Sequence, residues 1–135
     1  MLHSVSEYDL KQYKSKSLRK RLRVIALDNE ESTLTALSFL IETMGHRVAA
    51  FTSATEALKS TEKGSFHIAL IDYRLAGDLN GVNVIKKIHK ISPRTECFLI
   101  TGEQSIDGKS SNAINIINKP LTDKKLQYIF KKGTY

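Results

Sequence analysis

A single cysteine, Cys97, among 135 residues excludes an internal disulfide framework and suits a reducing compartment. Its neighbours, Glu96-Cys97-Phe98-Leu99-Ile100, make it a buried strand residue rather than a nucleophile. No apolar run approaches the about 20 residues that span a bilayer. The segment Met1 to Tyr13 lacks the apolar core and small-residue cleavage site of a secretory signal. A cytoplasmic protein with no membrane partner is therefore expected. Histidines 3, 46, 67 and 89 show no metal-ligand spacing. No Gly-rich turn follows the first apolar stretch, which argues against a dinucleotide-binding enzyme. Internal repeats and low-complexity segments are also missing.

What is present is an ordinary globular composition, 41% hydrophobic and 26% charged, in a length that suits one hydrophobic core. The net charge of +7 is unevenly spread. Residues 1 to 23 hold seven basic groups (Lys11, Lys14, Lys16, Arg19, Lys20, Arg21, Arg23) against Glu7 and Asp9, while the other 112 residues hold 14 basic and 12 acidic groups. The expected organisation is a basic arm or linker over residues 1–21 and one folded domain over 22–135. The folded body is not expected to bind nucleic acid; the arm reads first as a solvated tail.

After the arm, short β-branched runs alternate with longer helical patterns, which predicts βα repeats and a parallel sheet covered on both faces. Strands are expected at Arg23–Leu27, His46–Phe51, Phe66–Ile71, Glu96–Ile100 and Ala113–Ile117. Helices are expected from about Ser32 to Met44, ending at Gly45; from a Ser53-x-x-Glu56 capping box to about Glu62; from Val82 to Ile91, stopped by Ser92-Pro93; and from a Thr122 cap through Phe130. The polar stretch Gly102 to Asn112 gives only a weak helix signal.

In an open α/β sheet, ligands bind beyond the carboxyl ends of the strands, so the polar residues there carry the chemistry. Strand one ends in Asp28-Asn29-Glu30, strand three in Asp72, strand four in Thr101, and strand five in Lys119-Pro120. Carboxylates gathered at one edge raise each other's proton affinity unless a cation sits among them. Mg²⁺, which commonly pairs one or two carboxylates with a substrate phosphate, is the expected ion. Lys119 adds a positive charge for phosphate oxygens and Thr101 a hydroxyl.

These four elements, each at its own strand end and in this order, resemble the response-regulator receiver domains of two-component systems over about Arg21 to Lys132. Leu70-Ile71-Asp72-Tyr73-Arg74-Leu75 and Leu99-Ile100-Thr101-Gly102 look most like receivers at the C-terminus of hybrid histidine kinases. The resemblance implies a flavodoxin-like (βα)5 fold with five parallel strands in the order 2-1-3-4-5. It implies that Asp72 takes a phosphoryl group from a histidine kinase or histidine phosphotransfer protein, with self-catalysed transfer and dephosphorylation and a dimer among the expected assemblies. It also implies that Asp28, Asp72 and the backbone carbonyl of Arg74 hold Mg²⁺, and that Lys119 and Thr101 contact the phosphoryl oxygens.

Four departures stand out. Asn29 occupies the position of the family's second acid, for which Glu30 is the candidate substitute. Ala76 replaces a proline after the acceptor. The span from Thr101 to Lys119 is about one helical turn short. Ile116 stands where many members place a switching aromatic residue. The alternative reading, resting on Asn29, is a pseudo-receiver, a protein-interaction module that keeps the fold and takes no phosphate.

Overall fold

The computed structural model describes residues 20–77, 79–102 and 115–132. Five strands, β1 (Arg23–Leu27), β2 (Arg47–Phe51), β3 (Ile68–Asp72), β4 (Glu96–Thr101) and β5 (Asn115–Asn118), form one parallel sheet in the order β2-β1-β3-β4-β5. Among the described residues there are four helices: α1 (Glu31–Thr43), α2 (Ala54–Lys63), α3 (Gly81–Ile91) and α4 (Asp123–Lys132). The arm over 1–21, apart from Lys20 and Arg21, lies outside the described residues. So do nearly all of the polar stretch Gly102 to Asn112 and the first two residues of the expected fifth strand, Ala113 and Ile114.

Two apolar layers flank the sheet, as the near-continuous hydrophobic strands require. Successive side chains of a strand face opposite sides. Val24 and Ala26 of β1 accordingly join Ile68, Leu70, Phe98 and Ile100 beneath α1 and α4, where Leu34, Leu37, Ile41, Leu126 and Ile129 close the layer. Ile25 and Leu27 join Ala69, Ile71, Cys97 and Leu99 beneath α2 and α3, against Ala57, Val84, Ile85 and Ile88. Each fully buried Leu or Ile contributes on the order of 2 kcal/mol.

The helix ends follow their local chemistry. Ser53 Oγ accepts from the Glu56 amide at 3.3 Å to start α2, and Asn80 Oδ1 accepts from the Asn83 amide at 3.1 Å to start α3. The Thr122 hydroxyl accepts from the Lys125 amide at 3.3 Å before α4. After α1 the chain turns through Gly45 at φ +91°, a left-handed conformation that glycine adopts without steric cost.

Within the described residues two strand starts differ from the sequence reading, and β3, β4 and β5 each end one residue later, at Asp72, Thr101 and Asn118. β2 begins at Arg47 rather than His46, and β3 runs Ile68–Asp72 rather than Phe66–Ile71. In both cases a histidine is diverted to another task. His46 Nδ1 accepts from the Leu22 amide and His67 Nδ1 from the Arg23 amide, each at 3.0 Å. The two imidazoles thus hold the chain as it enters β1.

Candidate functional site

All five strands run the same way, so their carboxyl ends share one edge, and the polar residues there belong to one surface. Asp28 follows β1 directly and is anchored by its amide to the Phe51 carbonyl at 3.2 Å. Its Oδ1 accepts from the Glu30 amide at 2.9 Å, which fixes the carboxylate beside the start of α1. Asp72 ends the central strand β3, whose five residues are all buried. The next residue, Tyr73, donates its amide to the Ile100 carbonyl at 2.9 Å and accepts from the Gly81 amide at 2.8 Å. The backbone on both sides of Asp72 is therefore pinned.

Lys119 closes the site from β5. Its amide donates to the Thr101 carbonyl at 2.8 Å, and the peptide joining it to Pro120 is cis. Its Nζ lies 3.3 Å from Asp28 Oδ2 and 3.3 Å from Asp72 Oδ1. One ammonium thus bridges two carboxylates that are 6% and 5% exposed. Burial raises the proton affinity of Asp72, the neighbouring Asp28 raises it further, and Lys119 opposes both. For Lys119, burial works against the charge, yet Asp72 and Asp28 outweigh it and raise its pKa.

The remaining candidates are placed as follows. Thr101 is buried at the end of β4. Arg74 is exposed and forms an isolated antiparallel bridge with Asn80, which ties the loop after Asp72 to the start of α3. Glu30 borders, with Asp28, Asp72 and Lys119, a cleft of about 560 Å³ whose floor is Leu34, Leu37, Leu70 and Ile100. Asn29 is exposed and does not line it. Of the two neighbours, Glu30 is the acid next to the cleft, although its carboxylate also accepts from the Thr33 hydroxyl at 3.2 Å. Ile116 is 36% exposed on β5, an aliphatic chain in place of an aromatic switch.

Gly81, just before the expected helix start at Val82, packs directly against the backbone of Asp72. A Cβ there would overlap the Asp72 carbonyl oxygen and come within 2.7 Å of Leu99 Cδ1. Only a residue without a side chain lets α3 approach Asp72 this closely. The signal available in the sequence was a glycine at the start of a helix, where an ordinary turn explains it equally well.

The donor set is all oxygen and nitrogen. Among the described residues, no three Asp, Glu, His or Cys side chains cluster to hold a metal ion by themselves. Two buried carboxylates, with their mutual repulsion offset by one ammonium, suit instead a hard cation that keeps most of its shell as water and phosphate oxygen.

A doubly wound α/β sheet with an acid pair and a lysine at its carboxyl edge defines a flavodoxin-like domain. The sequence model of the response regulator receiver domain matches residues 24–131, and the chain belongs to that family. The chain is 25% identical over 120 residues to the transcriptional regulatory protein ZraR of Salmonella typhimurium, covering 86% of this chain and 27% of that protein. It is 26% identical over 118 residues to the two-component response regulator ORR27 of Oryza sativa subsp. japonica, covering 82% and 18%. The chain thus spans about a quarter or less of the length of these relatives. Among solved structures, a CheY-like receiver domain protein from Methanospirillum hungatei superimposes with a TM-score of 0.75 at 27% identity, covering 84% of this chain and 93% of that one. The NtrC4 receiver domain, solved as a beryllofluoride-activated dimer, gives 0.72 at 29% identity, covering 80% and 93%. No described helix is long and apolar enough to cross a membrane.

Proposed function

We propose that the chain is a phosphoacceptor in two-component signalling and takes a phosphoryl group from a phosphohistidine onto Asp72. The observation that carries this reading is the Lys119 ammonium at 3.3 Å from both Asp28 and Asp72, at the carboxyl edge of the central strand. A carboxylate oxygen of Asp72 attacks phosphorus, the P–N bond to the donor imidazole breaks as the P–O bond forms, and the departing nitrogen keeps the electron pair and its ring becomes neutral. Phosphoryl transfer depends mainly on positioning and charge neutralisation. Lys119 supplies a cation at the acceptor, the pinned backbone around Tyr73 supplies position, and Thr101 supplies a hydroxyl for a phosphoryl oxygen.

Asp28, Asp72, the Arg74 backbone carbonyl and Glu30 or Asn29 are the residues that would hold Mg²⁺, with Glu30 favoured by its place beside the cleft. Bound there, the ion neutralises charge on the phosphoryl oxygens. The donor in this reading is a histidine kinase or histidine phosphotransfer protein in the cytoplasm, and the chain is a receiver of a hybrid kinase. Dimerisation on phosphorylation is part of the same proposal, since the NtrC4 neighbour is described as an activated dimer.

Incubation with Mg²⁺ and acetyl phosphate, followed by intact-mass measurement, tests the central claim. The expected result is one phosphoryl adduct that disappears in Asp72→Asn. A chain that gains no adduct at any Mg²⁺ concentration is instead a pseudo-receiver.

A further inference from the structure

The opposite edge of the sheet carries a second charged surface that the phosphoacceptor site does not use. In a parallel α/β fold all strands begin at one edge, and the helices end there. Four of the five described arginines lie along it: Arg21 just before β1, Arg23 and Arg47 as the first residues of β1 and β2, and Arg94 just before β4. Lys63 joins them as the last residue of α2. All five groups are exposed.

Arg23 and Arg47 are register partners on adjacent parallel strands, so their side chains leave the same side of the sheet, with backbones about 4.8 Å apart. Like charges placed opposite each other are destabilising. Arg23 is held by hydrogen bonds to the Ser65 carbonyl and hydroxyl at 2.7 and 2.9 Å, neither of which neutralises it. Among the described residues, none of these five cations forms an ion pair with an acid. Glu96, the acid at the start of β4, is 3.9 Å from Lys132; Glu42 and Glu62 are the other acids at this edge. The two imidazoles register the resulting field. Burial, then Arg21 and His67, lower the pKa of His46; burial, then Arg23 and Lys20, lower that of His67.

Cations in a last helical turn are ordinarily explained by the helix dipole. That accounts for Lys63 and for none of the four arginines, which lie outside helices. We infer that this edge is a binding face for the phosphodiester backbone of duplex nucleic acid, held without base reading. Guanidinium forks match phosphate oxygens bidentately. The two most exposed aromatic side chains, Phe39 and Tyr128, lie part-way along α1 and α4. Phe66 and Phe130, the aromatic residues near this edge, are partly buried against the apolar layers, so among the described residues the face carries no exposed aromatic group to stack on unpaired bases or enter a bilayer; a partly exposed Ile91 adjoins it. The basic residues before Arg21 extend the same sign of charge along the chain.

The test is fluorescence anisotropy of the full chain with a mixed-sequence DNA duplex of about 20 base pairs, at roughly 50 to 300 mM salt. Arg47→Gln and Arg94→Gln are each expected to lower the slope of log affinity on log salt by about 0.9, and the pair to weaken binding about tenfold or more. Arg47→Lys should restore the slope, and Lys124→Gln at the opposite edge should leave it unchanged. Circular dichroism checks that each variant is folded. The inference is overturned if both arginine variants bind as the parent does, including the case where only removal of residues 1–19 abolishes binding. Tighter binding to phosphatidylserine vesicles than to the duplex at equal salt also overturns it. No outcome depends on Asp72, so failure here is separate from failure of the phosphoacceptor reading.

Discussion

Gly81→Ala is the sharpest single-atom test of how Asp72 is held. The added methyl would overlap the Asp72 carbonyl oxygen and stand 3.0 Å from the Asp72 carbonyl carbon and 2.7 Å from Leu99 Cδ1. Leu99 is fully buried, so it has little room to retreat. The other contact is backbone of the central strand, paired to β4 through Asp72 and Ile100. Overpacking of this kind costs about 1–3 kcal/mol, while replacing glycine returns about 0.4–1 kcal/mol through the unfolded chain. The net is a loss of about 1–2 kcal/mol, or roughly 4–8 °C in melting temperature for a domain of this size.

The same strain falls on Asp72, and a displacement of about 1 Å at a reacting group costs on the order of 100-fold in rate. Urea unfolding and the rate of adduct formation with acetyl phosphate, measured on one preparation, read the two effects together. Gly81→Ala is expected to lose both stability and at least about tenfold in rate. A variant as stable as the parent and phosphorylated at the parent rate would refute the argument that α3 packs on the backbone of Asp72.

Two further perturbations follow from the charges. Lys119→Gln leaves Asp28 and Asp72 facing each other without their ammonium, so the melting temperature at neutral pH should fall and added Mg²⁺ should raise it more in the variant than in the parent. An equal Mg²⁺ shift in both proteins would show that Lys119 does not bridge the pair. His46 and His67 accept hydrogen bonds through Nδ1 and so must be neutral in the folded state. Burial, first among the causes, depresses both pKa values, so the unfolded chain binds protons that the folded chain refuses. Their contribution is complete above the unfolded value of about 6.5 and is lost as pH falls from there through the folded values. The urea midpoint should drop between pH 7 and pH 5.5, less so in His67→Gln, and a flat profile over that range would refute the assignment.

The fold was legible because buried parallel strands are short runs of β-branched residues bounded by charge, and β1 and the start of β4 fell where the sequence indicated. His46 and Phe66-His67 misled because they continue the apolar pattern, while their roles are tertiary. The imidazoles cap the start of β1, and the Phe66 carbonyl accepts from the Thr95 hydroxyl at 2.8 Å. The acid, threonine and lysine at the carboxyl edge could be grouped from sequence because topology alone brings strand ends together. The choice between Asn29 and Glu30 could not, since it depends on which of two adjacent side chains turns toward the cleft. The arginine edge was not legible because its members are spread from position 21 to 94, so that Arg21 and Arg23 read as part of the basic arm while Arg47 and Arg94 are averaged with the acids of the folded body.

That separation of charge has one cause. A parallel sheet with crossover helices stacks every helix dipole in the same sense, with amino ends at the carboxyl edge of the strands and carboxyl ends at the other. Acids at the helix starts, such as Glu31, Glu56 and Asp123, lie in a favourable potential, as do cations at the helix ends. Asp28 and Asp72 occupy the same favourable edge, yet burial and mutual repulsion leave Asp72 harder to ionise. The backbone thus supplies part of the compensation and Lys119 the rest. A phosphoryl group on Asp72 would add further negative charge at the edge where the helix amino ends and the lysine already converge. Placed at the arginine edge instead, the same carboxylates would face the negative ends of the helices, and the positive environment that phosphoryl transfer requires would depend on side chains alone.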